Sequence, residues 1–259
     1  MFFGRSTRPS PPPLADFSAT RDVWLLVGLA IPIGAVAALL ALALLDGIAL
    51  VTNALYLGRL STDLVSPAEA DLGPASVLIP VAGGLVVGLM ARFGSEGIRG
   101  HGIPEAMETI LVRGSRVDPR LAVLKPLSSV VSIGSGGPFG AEGPIILTGG
   151  ALGSLVAQSV HLSSTERKTL LVAGAAGGMS GVFGTPVAAT LLAVELLLFE
   201  WRPRSMVPAA AAAATAAAVR IALAEAGLIA PAPLFPVPIH PPLGDVGLLG
   251  ALAVGVAGG

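Results

Sequence analysis

The chain has 259 residues, 53% of them hydrophobic and only 12% charged, and its mean hydropathy of +0.83 lies well above that of water-soluble domains. So little charge cannot keep a folded body of this size dissolved, which excludes a soluble enzyme, and fifteen Lys+Arg against sixteen Asp+Glu leave a net charge of -1 and no basic field for nucleic acid. The absence of Cys removes disulfides and thiolate sites, the 4% aromatic content argues against an outer-membrane barrel, and 34 Gly with 22 Pro predict helices that break inside the membrane.

Residues 1–20 are polar, carry Pro9 and the run Pro11, Pro12, Pro13, hold no apolar stretch of signal-peptide type, and read as a cytoplasmic tail. Val23 to Leu45 is long and apolar enough to span a bilayer, with Pro32 as its one breaker. After a mixed connection from Asp46 to Pro74, Ala75 to Phe93 is predicted as a second span. It pairs with the first as a hairpin and carries Gly84 and Gly88 at a spacing that admits another backbone. The later apolar runs, Leu121 to Ile133, Gly143 to Val160, Leu170 to Val182 and Val187 to Phe199, are shorter and separated by glycines. Thirteen helical residues rise only about 20 Å against a hydrocarbon core of about 30 Å, so several of these must end at membrane depth. Irregular backbone survives there only inside protein or beside a water-filled cavity, so the breaks mark the candidate site. Met206 to Ala224 is an alanine-rich helix, Pro231 to Pro242 a proline-rich connection, and Gly247 to Gly259 the start of another helix that the chain end interrupts.

Charge suggests an orientation. Asp46, Asp63, Glu69 and Asp71 against Arg59 give the first connection -3, whereas Arg113, Arg116, Arg120 and Lys125 against Asp118 give Val112 to Lys125 +3. The positive-inside tendency then puts the second connection and the amino-terminal tail in the cytoplasm.

Three segments carry chemistry. In Gly100-His101-Gly102-Ile103-Pro104-Glu105 a glycine-flanked turn runs into Pro at a helix first turn, followed by an acid that complements the helix end. Free N–H groups at such an end hold an anion without a cationic side chain, although many capped helices have the same look. In Gly134-Ser135-Gly136-Gly137-Pro138-Phe139-Gly140-Ala141-Glu142-Gly143-Pro144 an apolar run breaks, a carboxylate appears and Pro144 restarts a helix. An ionised group at membrane depth costs about 2.5–3.5 kcal/mol, more than the roughly 0.3–1 kcal/mol a helix dipole returns, so Glu142 is a functional candidate. No Lys-Ser or Lys-Thr pair follows these glycines, so this is not a phosphate loop. Gly174, Gly177 and Gly181 read as close helix packing, and the same run leads to Glu195, an acid in an apolar helix expected to face protein or water.

Together these segments resemble the CLC chloride channels and chloride/proton exchangers. Gly100 to Glu105 is similar to the family's GSGIP-E segment, Gly140 to Pro144 to its GREGP segment, and Gly174 to Glu195 to its third glycine-rich stretch. Gly134 to Pro138 also looks like GSGIP, but the family puts its chloride-coordinating Ser about forty positions before its gating Glu, which selects His101. The resemblance covers Arg21 to the chain end. It implies an all-α, polytopic membrane fold of two inverted repeats, with 21–226 as the first repeat and 227–259 as a connection and the start of the second, in a homodimer of the inner (plasma) membrane. It implies chloride or a similar anion held by backbone near His101, Gly102, Ile103, Pro104, Gly143, Pro144 and Ile145, the N–H groups of Gly102, Ile103, Gly143 and Ile145 facing it, and Glu142 as the gating carboxylate. Chloride is then the transported ligand, no cofactor is expected, and the protein is not an enzyme. Several positions depart from the pattern. His101 replaces Ser and would add a charge if protonated near its ordinary pKa of about 6.5. Leu196 follows Glu195 where proton-coupled members have a second acid, which favours passive conduction, and Ala141 replaces a cation beside the gate. The second repeat's GxFxP turn and distal Tyr are not found, and Tyr56 is too early to serve, so a half that does not conduct alone is a further expectation. The alternatives are a Ser–His protease using Ser135 with His161 or His240, and a metal site from His101, Glu105 and Glu108.

Overall fold

The computed structural model describes residues 21–100, 102–229 and 244–258, which form helices joined by turns. The tail 1–20, His101 and the Pro231 to Pro242 connection lie outside the described residues. Helix α1, Arg21–Thr52, continues as a π-turn over Asn53–Leu57 and stops at Gly58 in the left-handed region. The fully buried Asn53 donates to the carbonyls of Ala49 and Asp63 and accepts from Arg59 Nε, which folds the following segment back on the helix end. A 3-10 turn over Gly73–Val77 leads into α2, Leu78–Phe93. Then follow α3, Ile103–Leu111; α4, Pro119–Gly134; and α5, Glu142–Ser159. The chain continues through α6, Ser164–Phe183; α7, Pro186–Ala193, extended by a π-turn over Val194–Leu198; α8, Pro203–Glu225; and α9, Asp245–Gly258.

Among the described residues three helical segments are long and apolar enough to cross a membrane, Val23–Leu57, Gly73–Phe93 and Pro203–Glu225. Helix α3, with 9 residues, rises only about 14 Å and α4, with 16, about 24 Å, so both stop short of a bilayer core. Helix α6 differs from the expectation. Ser163 and Glu166 close a capping box that starts it six residues before Leu170, and its 20 residues rise about 30 Å. The apolar pattern missed this polar first turn.

The core is built around α6, which is buried without interruption from Thr169 to Val182 and packed on α1, α5 and α8. A helix enclosed on all sides needs no polar face, and its small residues let neighbours approach to backbone contact. A Cβ on Gly174 would run into the Gly149 carbonyl of α5, and one on Gly181 into Ala38 of α1. Two expectations fail in α2. It packs mainly on α4 rather than pairing with α1 as a hairpin, because Gly83 rests on Ser135. Gly84 and Gly88 face open space.

Candidate functional site

The turn before α3 is fixed from α4. Lys125 Nζ, on a residue only 4% exposed, donates to the carbonyls of Ile98 at 2.8 Å and Gly100 at 3.1 Å and lies 3.4 Å from that of Arg99. Counted in the sequence as a loop charge, Lys125 is thus a buried clamp on this turn. Glu105 reaches back over Gly100 so that Oε2 accepts the Gly102 N–H at 2.5 Å. Gly102 adopts φ +99, which disfavours any side chain, and its bare Cα abuts the backbone of Gly143. The starts of α3 and α5 therefore meet, though 41 residues separate Gly102 from Gly143 in sequence.

The approach to α5 is held with similar economy. Tyr56 donates its hydroxyl to the Ser135 carbonyl at 3.0 Å, and Gly136 turns the chain at φ +89. Ala141 precedes the helix, whose first residue is Glu142. The exposed Glu142 side chain folds over Gly140 and makes no hydrogen bond or ion pair among the described residues. It stands on the wall of a cavity of about 420 Å³, together with Ile103, Gly143, Pro144, Ser128, Ser132 and Phe139. Arg99, an exposed residue, is on the same wall, a cation near the place where Ala141 supplies none.

Not every expected N–H group is available. That of Gly102 is committed to Glu105, and that of Ile145 closes on the Ala141 carbonyl at 3.0 Å, one turn into the helix. Pro104 and Pro144 have no N–H and act by fixing φ. Of the four predicted donors, Ile103 and Gly143 remain, in first turns where no residue four positions earlier belongs to the helix. Both line the cavity. Two helix starts in contact, with uncommitted N–H donors on one cavity, can attract an anion without enclosing it.

Other candidates fall elsewhere. Glu195 lies exposed in the π-turn that ends α7, away from the cavity wall. Glu200, the next acid along the chain, accepts the Ser205 hydroxyl at 2.9 Å and lies 3.5 Å from Arg202, an arrangement that fastens the start of α8. Ser135 Oγ donates to the Ser132 carbonyl, while the exposed His161 follows the far end of α5, about 27 Å of helix away, so no dyad forms between them. His240 lies outside the described residues. For the metal alternative, Glu105 turns to Gly102 and Glu108 pairs with Arg113 at 2.9 Å.

Sequence reasoning missed Lys125, Ser128, Ser132 and Arg99. For Lys125 a signal existed: it stands between Leu124 and Pro126 in an apolar run, where a charge is as costly as at Glu142.

The chain is similar to known proteins. Over 146 residues the chain is 30% identical to a putative chloride channel protein ClcB-like from Ralstonia nicotianae, a match covering 55% of this chain and 34% of that protein. Over 121 residues it is 39% identical to the H(+)/Cl(-) exchange transporter ClcA of Vibrio campbellii, covering 45% of this chain and 24% of the relative. The matched stretches thus span between about a quarter and a third of these relatives. The crystal structure of a CLC-type fluoride/proton antiporter superposes with a TM-score of 0.67 over 93% of this chain and 56% of that one, at 22% identity, which establishes the fold. A family model described as voltage gated chloride channel matches residues 83–259, from within α2 onward. Sharing that family's fold, its sequence pattern over more than half its length and apolar spanning helices, the chain is a membrane protein of the voltage gated chloride channel, or CLC, family.

Proposed function

We propose that this chain supplies the paired helix starts of a transmembrane chloride pathway, with Glu142 as gating carboxylate, in a voltage-gated or proton-gated channel that works as a homodimer in the plasma membrane. The observation that carries this reading is the contact between Gly102 and Gly143, which brings two dipole ends to one cavity whose wall includes an acid without a hydrogen bond among the described residues. An ionised Glu142 is itself an anion and competes for the place that chloride takes. Protonation removes its charge and lets it leave, so opening follows acidity. The site offers backbone N–H groups at Ile103 and Gly143 with Pro144 on the same wall, while Gly102, Pro104 and Ile145 belong to the helix starts behind it and His101 is beside them in sequence. The amino-terminal tail is assigned to the cytoplasm and the segment around Asp63 to the outer face, following loop charge.

A chloride/proton exchanger is the second reading, favoured by the ClcA relative and by the antiporter with the same fold. Passive conduction is preferred because Leu196 follows Glu195 and Glu195 stands away from the cavity. Chloride flux into liposomes, with and without a pH gradient, tests both. Flux through the parent should rise as pH falls, whereas Glu142→Gln should conduct at every pH. Chloride-driven proton movement would select the exchanger, and a Gln variant that keeps the parent's pH dependence would remove Glu142 from the gate.

A further inference from the structure

A second cavity, about 40 Å³, lies behind the α3 start, between α3, α4 and α5. Its wall includes Glu105, Thr109, Lys125, Thr148, Ile146 and Leu171. Threonines inside a helix usually satisfy their hydroxyl on the carbonyl four residues earlier, and Thr52, Thr169, Thr190 and Thr215 all do so here. Thr109 and Thr148, the two that line this cavity, do not. Thr148 is 7% exposed, and its Oγ1 is buried with no hydrogen-bond partner among the described residues. A buried hydroxyl left in that state is costly, and native interiors rarely keep one without an ordered solvent partner.

The neighbouring charges repeat the pattern. Lys125 Nζ stands 4.0 Å from Glu105 Oε1, too far for a direct hydrogen bond, and the ammonium's donors are directed at backbone carbonyls. Glu105 uses Oε2 on Gly102, which leaves Oε1 facing Lys125 with no hydrogen bond. A polar separation of this length beside free space is the geometry of a bridging water. At about 10–15 Å³ for each solvent centre, a cavity of about 40 Å³ has room for three or at most four waters, enough for the two or three that its polar groups can hold. The carboxylate and the ammonium on its wall offset each other, so neither an anion nor a cation is favoured, and the hydroxyls can turn to donate or accept as a neutral guest requires.

We propose that this cavity is a structural water site, in which two or three ordered waters bridge Thr148, Thr109 and Glu105 Oε1 and so support the carboxylate that caps α3. The inference stands on the cavity and its orphan hydroxyl, and it holds whether or not the protein conducts chloride. Thermal unfolding of the full chain in detergent separates a wet cavity from a dry one by sign. If water is bound, Thr148→Val removes one of its partners and lowers the unfolding midpoint, by about 2–6 °C, while Thr148→Ser stays near the parent. If the cavity is dry, Thr148→Val discards an unsatisfied hydroxyl and leaves the midpoint unchanged or higher, which overturns the proposal. A structure at a resolution that shows ordered solvent gives an independent reading: two or three peaks in the cavity are expected, at least one of them within hydrogen-bond distance of Thr148 Oγ1. An empty cavity, or a bromide anomalous peak in it, would overturn the water assignment.

Discussion

At Gly102 two demands fall on one residue: a backbone at φ +99, and contact with Gly143 where a methyl group has no room. Replacement by Ala meets both at once. The strained conformation costs about 1–3 kcal/mol, and relief requires the α3 start to move from the α5 start. Gly102→Ala should therefore weaken chloride binding, measured calorimetrically, by at least about tenfold, the equivalent of 1.4 kcal/mol. Unchanged affinity would mean that the touching starts do not form the anion site. The role of this Gly was legible in the sequence only as an N-terminal signal. Its contact with Gly143 lies across 41 residues, beyond the reach of local patterns. The same limit explains the donors. A stretch such as Gly143-Pro144-Ile145 shows where a helix begins, but whether the Ile145 N–H is spent on Ala141 depends on which residue takes the first helical position.

The elements themselves were largely readable, since apolar runs and Gly/Pro punctuation placed α2, α4, α5, α7, α8 and α9 close to their observed limits. Helix α1 runs past the expected end at Leu45 to Thr52, taking Asp46 out of the predicted connection and into the helix. A second exception is instructive. Helix α6 opens with the polar sequence Ser164 to Thr169, which carries no apolar signal, yet Ser163 accepts from the Glu166 N–H and the Glu166 carboxylate accepts from Ser163 in return. Arg167 Nε also donates to the Gly114 carbonyl at 2.9 Å, so this turn ties the central helix to the segment between α3 and α4. Ser163→Ala should lower stability by about 1 kcal/mol, read as a drop of about 2–4 °C in the unfolding midpoint, because the cap loses its side-chain acceptor. A midpoint equal to the parent's would show that packing alone sets where α6 begins. The misassigned pair Gly84 and Gly88 teaches the converse: small residues at that spacing permit close approach but do not supply the partner.

For the whole molecule, hydropathy and charge spoke to solvent and orientation, and the motif order to family. Packing order stayed hidden, because near-uniform apolarity gives no sign of which helix lies innermost. The absence of native Cys makes the orientation open to a clean measurement. A single Cys at exposed Thr62 should react with an impermeant maleimide applied to intact cells, whereas one at exposed Arg113 should react only after the membrane is opened. The reverse pattern would invert the assignment. Both positions lie outside the helices and away from the buried centre. Neither substitution should alter the fold.

Two glutamates guard the paired starts, yet they live under different rules. Glu105 is moored: a backbone amide holds one oxygen and a buried ammonium attends the other. Glu142 has no such mooring and rests over a residue without a side chain. Displacing the first means dismantling the anchorage of α3, whereas displacing the second disturbs no hydrogen bond among the described residues. On the proposed reading a passing ion would meet one fixed negative post and one acid free to turn aside, and the lysine beneath the first sets the difference.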